Sequence, residues 1–462
     1  MKTILSRTGL RLPILISIFG YVGYVVSCTQ KDQVILTNPS ENTTELLSVK
    51  ASAAPTIDGT IESMWENAPK LKITPTVPDP GNGLFTGYIG EQYPVTLRSM
   101  YDGTNIYFLA EITDDSQTIL PTPWYFNPAG NTTGKTGWTK EPSSRSYDAN
   151  GNLSRIAFGE DRLAMLWNID ASTPKFITQS CYASCHVFTP YMDYSQNPAV
   201  YTSNAANGNH YTNGQAEKID MWWGRLGYIS RDATLNFIDD NYQDWAGGPA
   251  ITNLTGGNAN GRHVDGIAPD GTKSSTWPYR PNYTVTPPKQ GEYSNSQNLK
   301  LDGTGATVSV PLWVLTNGTR SGFILPADTL SGNAKKVTGI SSAGVLTLSD
   351  NSKIDPTVGT DYQRTGDPIT GPTAAKAIAN YIGMPLLNGR SDIKAAAVYT
   401  GSGWVVEYTR AMKTSDAQKQ DIDFTVQNSD GSLKDQPFGL AFFNNSNNQH
   451  GIYPGMVLKF QK

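Results

Sequence analysis

Residues 93–115, YPVTLRSMYDGTNIYFLAEITDD, set the terms for this chain. Two runs rich in β-branched and aromatic residues alternate with polar ones, and DGTN stands between them. Such alternation gives a strand one apolar face, and an Asp-Gly pair between two strands marks a hairpin. The pattern returns in EDRLAMLWNID (160–170), in DIKAAAVYTGSGWVVEYTRAM (392–412) with GSG as its turn, and in GLAFFNNSNNQHGIYPGMVLKF (439–460). Helical patterning is scarce; TAAKAIANYIGM (373–384) is the best candidate, with Gly383 as its stop. The 44 Gly and 29 Pro collect in long stretches near 119–153, 196–215, 246–300 and 325–372. Loops of that length are uncommon in compact domains and tend to be functional or ornamental. The expectation is a mainly β fold: one large β-sandwich over residues 51–462, with few short helices and an insertion at about 246–390.

The N-terminus reads as an address. Lys2, Arg7 and Arg11 precede the apolar run LPILISIFGYVGYVVS, which Pro13, Gly20 and Gly23 interrupt and which ends at Cys28. A basic start, a short apolar core and small residues at its end describe an export signal over residues 1–27. VVSC resembles a bacterial lipobox, in which the cysteine is lipidated and leads the mature chain. A plain secretory signal, or an uncleaved anchor with Cys28 idle, is the alternative. The residues after Cys28 favour an outer-membrane lipoprotein facing the periplasm or the cell surface, where thiols meet oxidants. Residues 28–50 are polar and read as a flexible tether. Charge is near balance at −4 with 16% charged residues and no basic cluster, so no nucleic-acid partner is expected.

The chemistry concentrates in SCYASCHVF, residues 180–188. This segment holds two of the three cysteines and one of the four histidines. Covalent haem needs two thiols to add across the porphyrin vinyls and a nearby imidazole for iron, ordinarily as Cys-x-x-Cys-His. Here Cys181 and Cys185 are one residue further apart, and His186 follows directly. A Cys181–Cys185 disulfide competes, although its ring is small and His186 is then unexplained. A structural metal site would need ligands that no second cysteine pair supplies. Haem c is the favoured cofactor.

Seven segments then carry a resemblance. PTIDGTIESMWENAPKLKI (55–73), VTLRSMYDGTNIYFLAEITDDS (95–116), EDRLAMLWNID, the Cys–His motif, DMWWGRLGYISRD (220–232), FIDDNYQDW (237–245), and GWVVEYTRAM with the closing FGLAFFNN…HG occur in order. Together they resemble the ethylbenzene-dehydrogenase-related haem-binding domain family. The resemblance covers most of 50–245 and 390–462; residues 246–390 match poorly. It implies a sandwich similar to the DOMON and family 9 carbohydrate-binding folds, with one haem at its edge. It further implies kinship with the haem-binding gamma subunits of molybdenum enzymes and with free c-type cytochromes. Those subunits hold a b-type haem through a Met and a Lys near the C-terminus. The comparable positions here are Met165 and His450, while the thiols and His186 depart from that pattern.

Two ligand sets follow: His186 with His450, or His186 with a methionine from Met165, Met192 or Met221. Met165 is equally readable as strand core, and His450 as a solvated loop residue. Met as a ligand would raise the potential relative to two imidazoles. Tyr182, Phe188, Tyr191, Trp222, Trp223 and Tyr228 could wall a porphyrin and Arg225 or Arg231 meet a propionate, although aromatics build any β core. His210 and His263 sit in Gly/Asn-rich loops and read as surface residues. DDNYQDW gathers carboxylates without the spacing or glycine of a calcium loop. The expected function is a lipid-anchored electron carrier without catalytic activity of its own, paired with a redox protein such as a molybdenum oxidoreductase. The alternatives are a carbohydrate-binding or cell-surface module with a Cys181–Cys185 disulfide, and a haem sensor or haem-binding enzyme with one open axial position.

Overall fold

The computed structural model describes residues 44–79, 85–142, 145–151, 153–155, 157–174, 176–184, 191–193, 200–202, 212, 216–244, 262–265, 279–280, 291–319, 321–357, 377–415, 419–446 and 448–462. Ten strands dominate it: β1 (Glu45–Lys50), β2 (Val95–Tyr101), β3 (Asn105–Thr113), β4 (Arg162–Asn168), β5 (Ile219–Arg225), β6 (Phe237–Gln243), β7 (Ile393–Tyr399), β8 (Gly403–Ala411), β9 (Gln436–Phe443) and β10 (Gly451–Phe460). Both hairpins read from sequence are present: β2 pairs antiparallel with β3, and β7 with β8.

The order around the sheet is β1-β10-β9-β4-β5-β6-β7-β8-β3-β2, and β1 also pairs with β2. The ten strands therefore close into a barrel. Its closure depends on β1, which runs parallel to both neighbours and divides itself between them. Glu45–Ser48 pair with Val457–Phe460, and Ser48–Lys50 with Ser99–Tyr101. The opposite junction is brief, with only Phe237 and Ile238 of β6 pairing with Lys394 and Ile393 of β7. Mainly β structure with few short helices is as expected. The arrangement is one continuous ring where two separate sheets were expected, because β1 satisfies the edges of both β2 and β10.

That same strand takes in the end of the segment read as a tether. Residues 28–50 read as a polar linker, yet Glu45–Lys50 buries Leu46, Ser48 and Val49. ELLSVK is a short alternating segment whose value as a strand depends on two partners far along the chain, so its local pattern is weak.

Strand alternation fills the barrel. Leu163, Met165 and Trp167 of β4, Trp222 of β5, Phe108 of β3, Tyr408 of β8 and Phe438 of β9 share one core with Phe424. Trp167 lies 5.1 Å from Trp222, Phe108 stacks on Tyr408 at 5.2 Å, and Phe108 meets Trp222 edge-on at 5.7 Å. Contacts of this kind join the two halves of the ring through its interior.

The outer faces are covered as well. Trp65, Val49, Met100, Tyr107, Leu109 and Val405 form a satellite cluster over β2, β3 and β8. Glu407 anchors the covering segment: it accepts from Trp65 Nε1 at 2.9 Å and from the backbone N–H groups of Gly59 at 2.9 Å and Asp58 at 3.2 Å.

Most of the described residues between 291 and 384 build small sheets of their own. Trp124, Phe126 and Trp138 from the 119–153 stretch share a core there with Val310, Val337, Ile340, Leu346, Leu348 and Ile378. Trp138 Nε1 donates to Gly344 O at 2.8 Å. Gly344 has φ +83°, and a Cβ there would stand 2.2 Å from the Phe126 ring, so only glycine fits. The helix expected at 373–384 is absent from the described part of that span. Ala377–Ile378 pairs with Trp124–Tyr125, and Tyr381–Met384 pairs with both Gly291–Ser294 and Phe323–Ile324. Residues 378–383 are buried without interruption, which no one-faced helix permits; strand partners on both sides outweigh the helical propensity of the alanines.

Candidate functional site

The outer face of β4, β5, β9 and β10 is where the sequence motifs meet. Register aligns Trp223, Ala164, Ala441 and Ile452 in one row across the four strands, and Met221, Leu166 and Gly439 in the next. Alternation turns all of these away from the barrel core. They form two adjoining apolar clusters, one with Phe443 and one with Phe176, Ala183 and Ile219. Ala164, Ala441 and Gly439 have little or no side chain, so the middle of this face is shallow between the larger residues.

The Cys181 segment packs on it. A short helix, Phe176–Gln179, leads into the 3-10 turn Ser180–Ala183. Phe176 and Ala183 are buried against Leu166, Ile219 and Met221. Ser180 sits on Gly439, where an added Cβ would be 2.4 Å from the Ser180 Cβ. The turn bearing Cys181 is thereby seated on β9, next to the shallow row. Cys185, His186, Phe188, His210 and Cys28 lie outside the described residues.

His450 approaches the same face from its rim. Its ring stacks on Phe443 at 4.4 Å and 26°, and Phe85 meets it edge-on at 5.7 Å. Phe443 in turn contacts Trp223 edge-on at 5.1 Å. Nδ1 lies 2.6 Å from Asn448 O. A carbonyl only accepts, so Nδ1 carries the proton and Nε2 keeps its lone pair, the tautomer a metal ligand requires. Burial pushes the imidazole down to about 4, so the ring is neutral at ordinary pH.

Met165 stands on the other side of the sheet. It is buried in the barrel core, opposite Leu440 and Trp222, and its Sδ accepts from Tyr408 Oη at 2.7 Å. Met165 and His450 are therefore not gathered into one cluster. Met221 does face outward, held by Gln243 Nε2 at 3.1 Å from its sulfur. Trp222 belongs to the core, whereas Trp223 belongs to the outer face.

Above that face lies a charged group the sequence reading only touched. Glu160 is buried and accepts from Arg225 and, at 3.4 Å, from Arg162. Arg162 also lies over the Trp223 ring at 5.4 Å. Arg231 is elsewhere, paired with Asp328 at 2.8 Å. Further along the rim, Asp161 accepts from Trp404 Nε1 at 3.0 Å, from Thr118 N at 2.9 Å and from Asn445 N at 3.1 Å, and so ties down the β9–β10 loop that carries His450. Asp114 is close by, accepting from Asn444 in the same loop at 3.4 Å. Burial, reinforced by the Asp114 charge, raises Asp161 to about 8; burial raises Asp114 to about 6. Nothing short-range in sequence marks this pair, whose bonds to Asn445 and Asn444 span 284 and 330 positions.

DDNYQDW divides between the faces of β6. Asp239 points outward into a two-point contact with Arg390 at 2.7 and 2.6 Å, and Asp240 points inward.

The family model for ethylbenzene dehydrogenase matches residues 62–454. The chain belongs to that family. The match runs through residues 246–390, which read as a poorly matching insertion, as well as the segments read as resembling it. No curated protein matches. Among solved structures, a family 9 carbohydrate-binding module from Caldicellulosiruptor kristjanssonii in complex with glucose is similar at 7% identity and a TM-score of 0.24, covering 90% of this chain and 96% of that one. The same module with cellotriose gives 8% identity and a TM-score of 0.24, covering 90% and 94%. Likeness at that level carries no argument about fold or ligand. Among the described residues, no helix is long and apolar enough to cross a membrane.

Proposed function

We propose that this family member is a lipid-anchored c-type haem protein that passes single electrons outside the cytoplasm. Cys181 and Cys185 would bear the thioether bonds, His186 one axial position and His450 the other. One observation supports this above others. The turn holding Cys181 and the imidazole of His450 attach to one outer face of the barrel, through Ser180 on Gly439 and through Phe443. The residues there suit a flat apolar macrocycle: a shallow Ala/Gly row bordered by Trp223, Phe443 and Ile452, with Arg162 and Arg225 beside it for anionic propionates. His450 is further suited by its free Nε2 and its neutral ring. Met165 is less suited, since its sulfur is already engaged by Tyr408 inside the core.

When bound, haem supplies a one-electron couple whose potential follows its axial ligands and the polarity around it. The chain contributes position and exclusion of water. Asn448 sets the imidazole tautomer, Phe443 and Phe85 fix the ring plane, and Asp161 restrains the loop from which His450 projects. A molybdenum oxidoreductase is the proposed electron partner, on family kinship alone. Lipidation at Cys28 after removal of residues 1–27, with attachment to the outer membrane, completes the reading.

Expression in a host competent for cytochrome c maturation tests it. Red protein that keeps its haem through denaturing electrophoresis, with the matching mass increment, is the expected result. Colourless protein with Cys181 and Cys185 joined as a disulfide would end the reading in favour of a binding module. In the coloured protein, His450→Ala is expected to lose the low-spin spectrum and to bind carbon monoxide rapidly; an unchanged spectrum removes His450 as a ligand.

A further inference from the structure

Four carboxylates meet inside one end of the barrel, away from the face just described. Asp220 of β5 and Asp240 of β6 point inward, Asp265 follows the strand Arg262–Val264 that extends the sheet beyond β6, and Asp421 arrives from the segment after β8. Asp265 N donates to Asp240 O at 3.3 Å, which sets those two residues side by side. Carboxylate oxygens of Asp220, Asp240 and Asp421 all lie within 4.8 Å of one another. Among the described side chains one cation reaches them: Arg410 Nη1 is 2.9 Å from Asp220, 3.7 Å from Asp240 and 3.9 Å from Asp421. None of the four carboxylates is more than 7% exposed.

One guanidinium does not neutralise four buried carboxylates, and uncompensated charge in such a place is prohibitive. Protons or a second cation must make up the difference. Shared protons demand short oxygen–oxygen hydrogen bonds. Asp265 faces Asp421, which can share a proton with it. By contrast, both oxygens of Asp240 are buried without any hydrogen bond, and so are Asp220 Oδ1 and Asp265 Oδ1. Asp265 lies outside the close trio and brings its unbonded oxygen from a separate segment.

We propose that Asp220, Asp240, Asp265 and Asp421 bind one calcium ion. Hard carboxylate oxygens suit Ca²⁺ over softer transition metals, and a set made of several protein carboxylates is typical of Ca²⁺ more than of Mg²⁺, which keeps most of its waters. The ion would staple β5, β6, the 262–265 segment and the residues after β8 at one end of the barrel. DDNYQDW supplies only Asp240, so no loop spacing announces the site. The proposal does not depend on haem.

The test uses the full chain, stripped with EDTA and then titrated with calcium or terbium. Trp222, whose ring lies 5.0 Å from the Arg410 guanidinium, serves as the antenna for terbium emission. Expected are one calcium per chain by elemental analysis, a melting temperature several degrees higher with calcium than with EDTA, and tryptophan-sensitised emission that calcium displaces. Asp240→Asn should abolish both emission and calcium response while keeping the wild-type circular dichroism spectrum; Asp265→Asn serves if that variant does not fold. Identical melting in calcium and EDTA, with no terbium emission, overturns the proposal. The haem spectrum is read separately, so either reading can fail alone.

Discussion

Asp161 and Asp114 show how single residues govern this rim. Both carboxyls are held above their unfolded values, so between about pH 4 and 8 these two groups hold more protons in the folded chain than in the unfolded one. Their contribution to stability then falls as pH rises through that window, the reverse of a salt-bridged carboxylate. His450 acts oppositely and lower: its depressed value removes stability as pH falls from 6.5 towards about 4. Above pH 6.5, therefore, the carboxylate effect stands apart from it. Melting temperature measured from about pH 6.5 to 8.5 should decline in the wild type, and the decline should be shallower in Asp114→Asn, because Asp161 loses the neighbour that opposes its ionisation. Equal slopes would show that the two carboxyls do not interact. Met165→Leu separates core from ligand. A near-isosteric swap that forfeits the Tyr408 hydrogen bond should cost about 1 to 2 kcal/mol and leave the haem spectrum unchanged. A spectral shift would return Met165 to the ligand set.

At the scale of elements, covering segments matter as much as strands. Glu407 holds the 58–65 segment over β3 and β8 through three donors. Removing its carboxylate leaves the Trp65 indole and two backbone N–H groups without an acceptor. Glu407→Ala should therefore cost about 2 to 4 kcal/mol by denaturant unfolding, and Glu407→Gln, which keeps one acceptor, distinctly less. Equal losses would mean that packing, not the acceptor, is what matters. Element identity was legible wherever alternation was long: 93–115, 160–170, 392–412 and 439–460 are all strands as read. Where the run was short and alanine-rich, as at 373–384, local propensity pointed to a helix and sheet partners decided otherwise.

For the whole molecule, closure of the ring is the deciding event. β1 joins the sheet's two ends, and Leu46, fully buried, drives its inner side into the core. Leu46→Ala should lower stability by about 2 to 5 kcal/mol, the cost of a cavity in a packed core. Protection of β1 and β10 amides from hydrogen exchange should fall more than that of β7 and β8, since those two keep their own hairpin. Uniform loss across all four strands would show that the barrel opens only as a unit.

The β character, the Cys-x3-Cys-His motif and the family were all readable from order and spacing along the chain, because alternation and motifs are local properties. Three things were not. Strand β1 pairs with partners about 50 and 410 positions away, and nothing in ELLSVK names them. Met165 and His450 look equally eligible as ligands in sequence, yet the inward face of β4 sends Met165 into the core while the β9–β10 loop holds His450 at the rim. Asp220, Asp240, Asp265 and Asp421 span some 200 residues and meet only because the ring brings β5, β6 and the segment after β8 together. Period two tells which residues share a face; only the folded sheet determines what each face meets.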